Sequence, residues 1–200
     1  MSGGSLVYLV RHGETPWSKT GQHTGRTDLA LTAEGERQAM QLKERLSGLE
    51  VEHVFSSPLQ RARRTGELAG FGERISILDD LTEWDYGAYE GLTSTEIRKS
   101  RPDWNLFRDG CPKGESPEDI SARADRVIAR VRGLRADALL FSSGHLLRVL
   151  AARWVEESVL QAHILALDPA SLSMLGYEHG MDDPVVRLWN ERPYQHGVRK

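Results

Sequence analysis

The 200-residue chain is long enough for one domain with a sizeable core, and its apolar and charged fractions are those of an ordinary globular protein. Against 26 Lys and Arg stand 29 Asp and Glu; the resulting net charge of -3 argues against a general nucleic-acid binder. The single cysteine, Cys111, excludes an intramolecular disulfide, and no apolar stretch reaches membrane-spanning length, so a cytoplasmic protein without nucleic-acid or membrane partners is expected.

Residues 1–5 read as a loose start. The apolar run 6–10 has the character of a buried parallel strand, and it ends at Arg11-His12-Gly13-Glu14-Thr15. Thr32 is a helix N-cap with Glu34 and Glu36 in the first turn; Ala39, Leu42, Leu46 and Leu49 follow at helical spacing. A second strand over 51–55 ends at Ser56-Ser57-Pro58, a helix follows over 59–69, and 75–78 is a short third strand. Residues 79–114 break this alternation. They are rich in Gly, Trp and charge, carry one helix signal near 95–99, and read as a cap-like insertion over the site. Ser116-Pro117 with Asp119 starts a helix whose stripe is Ile120, Ala124, Val127, Ile128 and Val131. A fourth strand over 138–142, a helix over 146–155 and closing strands over 172–177 and 185–189 complete the chain, with 195–200 as a frayed end. This alternation predicts a single α/β domain over 1–200: a three-layer α/β/α sandwich with a mostly parallel central sheet.

Three strand exits share one chemical theme: Arg11-His12, Ser56-Ser57 leading to Arg61, and Ser142 to His145. In a parallel sheet such ends converge, and ligands gather there. Guanidinium forks grip phosphoryl oxygens in pairs, so two arginines around a histidine describe a phosphoryl pocket. The neutral imidazole of His12 would attack phosphorus and form a phosphohistidine that water later hydrolyses. A sugar alkoxide leaves poorly without a proton, and Glu83, shielded from water by Trp84 and Tyr86, is the candidate donor. No metal or cofactor is expected, because the arginines would repel a divalent cation bridging His12 and His145.

Over 6–190 the chain resembles the histidine phosphatase superfamily, the phosphoglycerate mutase-like fold. Arg11 to Thr15 matches its nucleophile motif, Ser56 to Ala62 its second arginine motif, and Glu83 its acid/base position. Gly114-Glu115-Ser116 and the stretch from Gly144 to Leu150 match later landmarks. The segments at 17–25 and 83–91, with Arg108 to Cys111, are similar to a branch containing sedoheptulose-1,7-bisphosphatase and bacterial acid phosphatases. The resemblance implies a small phosphorylated sugar as substrate and a homodimer as an allowed assembly. It implies that Arg11, Ser18, Arg61 and Arg148 hold the phosphate or orient the pocket. It also implies substrate contacts from His23 and Thr24 and from the backbone of Ala170 and Ser171.

One position departs from the pattern. The family motif His-Gly-x-x-x-Arg carries a second catalytic imidazole, and aligning Gly144 and Arg148 puts Ser143 in that slot. His145 occupies a position where branch members carry an additional histidine, so it is no obvious substitute. The expected activity is therefore a weakened phosphatase, with a phosphoglycerate mutase and an impaired phosphosugar-binding protein as the rivals. Trp17, Trp84, Tyr86 and Tyr89 are candidate pocket walls. Arg63 and Arg64 read as solvated, and His53, His163, His179 and His196, without metal-ligand spacing, as structural or exposed.

Overall fold

The structure, a computed structural model, describes residues 4–193; the expected loose ends at 1–3 and 195–200, with His196, lie outside the described residues. Six strands form one sheet in the order β3-β2-β4-β1-β5-β6, where β1 is Val7–Arg11, β2 His53–Ser56, β3 Ile75–Ile77, β4 Ala138–Ser142, β5 Leu172–Tyr177 and β6 Pro184–Glu191. The first four in that order are parallel, and the β5–β6 pair runs antiparallel along the β1 edge.

Alternation of side chains across this sheet sets the layers. Val7, Leu9, Phe55 and Leu140 face a core shared with helices α6 (Pro117–Leu134) and α7 (Gly144–Trp154). Val10, Val54, Leu139 and Phe141 face a second core built with α2 (Ala33–Leu46) and α3 (Gln60–Gly66). Both faces are covered, which explains why β4 is buried at every position and reads as an uninterrupted apolar run.

Several boundaries differ from expectation for local reasons. Thr32 caps α2 by accepting the N–H of Gly35, as its sequence indicates. The helix expected over 59–69 stops at Gly66; a wide turn over Glu67–Phe71 follows, with Gly70 at φ 94, a conformation that favours glycine. The last helix begins at Gly144 rather than at 146. Within 79–114 the helix signal becomes α4 (Ser94–Ser100), closed by a Thr93/Glu96 capping box, and a further short helix, α5, spans Leu106–Asp109. This segment is part of the core as well as a wall: Trp84, Tyr86, Ile97, Trp104 and Phe107 are buried in the same cluster as α6 and α7. No described helix is long and apolar enough to cross a membrane.

The loop leaving β1 is locked against α2 by two glycines packed backbone to backbone. A Cβ on Gly13 would lie 2.4 Å from the Gly35 carbonyl oxygen, and one on Gly35 would lie 2.1 Å from that of Glu14. Gly13→Ala therefore forces the His12 loop and α2 apart. A loss of about 1–3 kcal/mol in urea unfolding is expected, on the scale of overpacking a core.

Candidate active site

Three strand exits meet because β2, β4 and β1 are neighbours in register. Arg11 pairs with Ser142, and Ser56 with Phe141. The ladder continues past the strands, with His12 N–H donating to the Ser142 carbonyl (2.9 Å) and Ser57 N–H to the Phe141 carbonyl (2.9 Å). His12, 4% exposed, places Nδ1 2.8 Å from the Gly13 carbonyl. A carbonyl only accepts, so Nδ1 carries the hydrogen and Nε2 keeps its lone pair. Burial, then the charges of Arg61 and Arg11, hold the imidazole pKa well below its usual value. His12 is a neutral imidazole with a defined tautomer.

The arginines are fixed by main-chain carbonyls. Arg61 is fully buried and donates through Nη1 to Thr27 (2.9 Å) and through Nη2 to Thr24 (3.0 Å) and Gly25 (2.8 Å), while its Nε is buried without a hydrogen-bond partner. Its own helix is tied to the His12 loop: Thr65 donates to the Arg61 carbonyl (2.7 Å) and accepts the Gly13 N–H (3.0 Å). Arg11 donates to the Leu167 carbonyl, and Gly144 leaves room for its guanidinium, since a Cβ there would sit 3.2 Å from Nε. Arg148 lines the pocket above the Phe107 ring, with Nε and Nη2 donating to the carbonyls of Ala162 and His163 (both 3.0 Å).

Glu83 takes over the capping of α7. Its Oε1 accepts the N–H of Leu146 (2.8 Å) and of Trp84 (2.9 Å), and its Oε2 accepts the N–H of His145 (2.9 Å). The His145 and Leu146 N–H groups are orphan donors of the α7 N-terminus, of the kind normally satisfied by the N-cap side chain. The N-cap residue is Ser143, which makes no side-chain cap bond; its hydroxyl is buried without a partner. A residue type suited to capping thus has its hydroxyl left over, beside the strand end that holds His12.

Arg11, His12, Glu83 and Arg148 line a cavity of about 250 Å³ together with Ser18, Gln22, His23, Thr24, Tyr86 and His145, whereas Arg61 and Ser143 are fully buried and do not line it. The Tyr86 hydroxyl is 2.5 Å from His145 Nδ1. Burial, foremost, pushes the Tyr86 pKa far up, so the hydroxyl keeps its proton. With that hydroxyl donating, His145 is left with Nε2–H as a second donor. Burial, then Arg148, keeps His145 neutral. His23 is held at about 4 by burial and Arg98, and its Nε2 lies 3.3 Å from the Ser94 hydroxyl.

Other expected site residues sit differently. Ser18 lines the cavity, but its hydroxyl accepts from Thr15 N–H and donates to the Thr15 carbonyl in a capping box. Ala170 and Ser171 are both fully buried beside the His12 loop. The Ala170 N–H is spent on the His12 carbonyl (3.0 Å), and the Ser171 N–H on that of Asp168 (3.3 Å). Trp84 is core, donating Nε1 to the Glu115 carbonyl and packing edge-on against Phe107; Trp17 and Tyr89 do not line the cavity either. Ser94 and Leu167 do line it and carried no motif signal, and Gln22 lines it from within the 17–25 segment without having been singled out there. Among the described residues, the ligating side chains drawn together are the exposed Glu178, His179 and Asp183, far in chemistry from this arginine-rich pocket.

A model of the histidine phosphatase superfamily (branch 1) matches residues 7–192. An acid phosphatase of Mycobacterium tuberculosis is 41% identical over 179 residues, covering 88% of each chain. A sedoheptulose 1,7-bisphosphatase of Saccharomyces cerevisiae is 40% identical over 178 residues; the match covers 73% of this chain and 66% of that relative, just under two thirds of its length. Among solved structures, that of the open reading frame Rv3214 from Mycobacterium tuberculosis superposes with a TM-score of 0.89 at 36% identity, covering 95% of this chain and 99% of the other. By motif, fold and kinship, the chain belongs to branch 1 of the histidine phosphatase superfamily.

Proposed function

We propose that this histidine phosphatase hydrolyses small phosphorylated sugars or bisphosphates through a phosphohistidine at His12, with turnover lowered by Ser143. The observation that carries this reading is the His12 tautomer: a buried, neutral ring whose Nδ1–H is spent on Gly13, leaving the Nε2 lone pair for phosphorus. In the first step the Nε2–P bond forms and the P–O bond to the sugar breaks, the departing oxygen taking a proton from Glu83. Oε2 is the oxygen with room for that proton, since it accepts one N–H where Oε1 accepts two. In the second step water attacks phosphorus, gives its proton back to Glu83, and the N–P bond breaks to release phosphate. Arg11 and Arg61 stabilise the equatorial oxygens, and the Ser143 hydroxyl contributes one neutral hydrogen bond where the family motif has an imidazole.

The substrate class is supported by the small cavity and by polar groups from Gln22, His23, Ser94 and His145, which suit hydroxyls. Relatives named acid phosphatase and sedoheptulose 1,7-bisphosphatase point the same way. Rapid quenching with a sugar bisphosphate, followed by peptide mapping in alkali, is expected to find the phosphoryl group on His12. A phosphoryl group on another residue overturns the mechanism, and transfer to a second hydroxyl faster than phosphate release makes the chain a mutase. Ser143 also favours a second reading, an impaired phosphosugar-binding protein; tight binding with neither trapped intermediate nor phosphate release would establish it.

A further inference from the structure

Arg123 lies on α6, outside every motif that carried the functional reading, yet it grips the loop that bears Glu83. Its Nη1 donates to the carbonyls of Asp80 (2.9 Å) and Thr82, and its Nη2 to that of Glu83 (3.3 Å). The same guanidinium meets the Glu115 carboxylate side-on, with Nε to Oε1 at 2.8 Å and Nη2 to Oε2 at 2.6 Å. Glu115 then holds the next stretch of the loop: Oε2 accepts the Asp85 N–H (2.9 Å), its carbonyl accepts Trp84 Nε1 (3.0 Å), and its N–H donates to the Asp85 carbonyl (2.9 Å). The two segments touch at Gly114, where a Cβ would fall 2.2 Å from the Asp85 carbonyl oxygen.

We propose that Arg123 and Glu115 are positioning residues that set the Glu83 carboxyl at its proton-transfer distance, an inference that rests on Glu83 being the proton donor. Residues 82–86 contain no helix or strand of their own, so nothing local fixes them. Their carboxyl end is anchored on α7 and their main chain on Arg123 and Glu115; Glu83 is held from two sides. The fork is specific to arginine, because one lysine ammonium cannot span a carboxylate and three carbonyls at once. Both charges of the pair are largely buried, so removing one partner leaves the other without compensation. A displacement of about 1 Å at a reacting group costs on the order of a hundredfold.

The test separates positioning from general support by the leaving group. An aryl phosphate with an acidic phenol departs without a proton, whereas glycerol phosphate needs one. Arg123→Met and Glu115→Gln are expected to lower kcat/KM, which reports phosphorylation of His12, on glycerol phosphate by about 10- to 100-fold, and to leave kcat/KM on the aryl ester and the affinity for vanadate nearly unchanged. Arg123→Lys should recover part of the loss. Independently of turnover, amide exchange at His145 and Leu146 should speed up in both variants, because these N–H groups bond to Glu83. If Arg123→Met fails to fold, Glu115→Gln, which preserves shape, carries both measurements. Equal losses on the two esters, or unchanged exchange at 145 and 146, overturn the proposal. Glu83→Gln run in parallel distinguishes the failures: selective loss there with unselective loss in the clamp variants sinks this inference alone, whereas no selectivity at Glu83 sinks the proton-donor assignment and the inference with it.

Discussion

Ser143→His is expected to raise turnover of phosphorylated sugars by about a hundred- to thousand-fold, with much less effect on KM. Losing one preorganised donor to a developing oxyanion costs roughly 3 kcal/mol, and restoring it should return that amount. The substitution removes no helix cap, for a reason specific to this chain. An N-cap serine is normally missed when replaced, at about 1 kcal/mol. Here Glu83 satisfies the first N–H groups of α7, and the Ser143 hydroxyl caps nothing. Its backbone, at φ -121 and ψ 167, is extended and accepts any L residue. Steady-state assays of both proteins on one panel of sugar phosphates decide the matter, with thermal melts to confirm folding. Unchanged kcat in a folded Ser143→His protein would mean that position 143 does not limit the chemistry.

Acid should destabilise the fold steeply. His12, His23 and His145 are all held neutral in the native state, each primarily by burial. In the unfolded chain each titrates near 6.5, so below that pH the unfolded state binds protons that the native state refuses. The stability these rings contribute is therefore complete above about pH 7 and is lost as pH falls. For His23, whose native pKa is about 4, the window runs from about 6.5 down to 4 and is worth on the order of 3 kcal/mol. His12 and His145 act with the same sign. Urea midpoints should drop clearly between pH 7.5 and 5, and His23→Gln should flatten the profile; a midpoint that holds or rises toward pH 5 contradicts the assignment. His12 itself has the opposite tolerance, because its ring stays neutral, as the proposed mechanism requires, while the fold survives.

The sheet was readable because its strands are buried on both faces and appear as plain apolar runs, with polar residues concentrated at the exits. That pattern located Arg11, His12, Arg61 and Ser143 in one region before any coordinates. Long-range hydrogen bonding was not readable. Glu83 meets the amides of 145 and 146 more than sixty positions away, and Arg123 grips carbonyls about forty positions upstream. Neither leaves a periodic or spaced signature. Aromatic residues misled for a related reason: Trp84 sits next to Glu83 in sequence, but neighbouring side chains on an extended loop point apart, and the indole went into the core while the carboxyl stayed at the pocket. Ala170 and Ser171 bond to the main chain of His12 and Arg11, a contact that no spacing in the sequence announces.

The wall formed by 79–114 behaves as a mould and not as a door. Swinging it outward would expose Trp84, Tyr86, Ile97, Trp104 and Phe107, each worth about 1.5–3 kcal/mol when sheltered from water. Their combined cost, on the order of 10 kcal/mol, rivals the entire margin by which a domain of this size stays folded. A wall held this firmly gives the cavity beside it a single fixed outline.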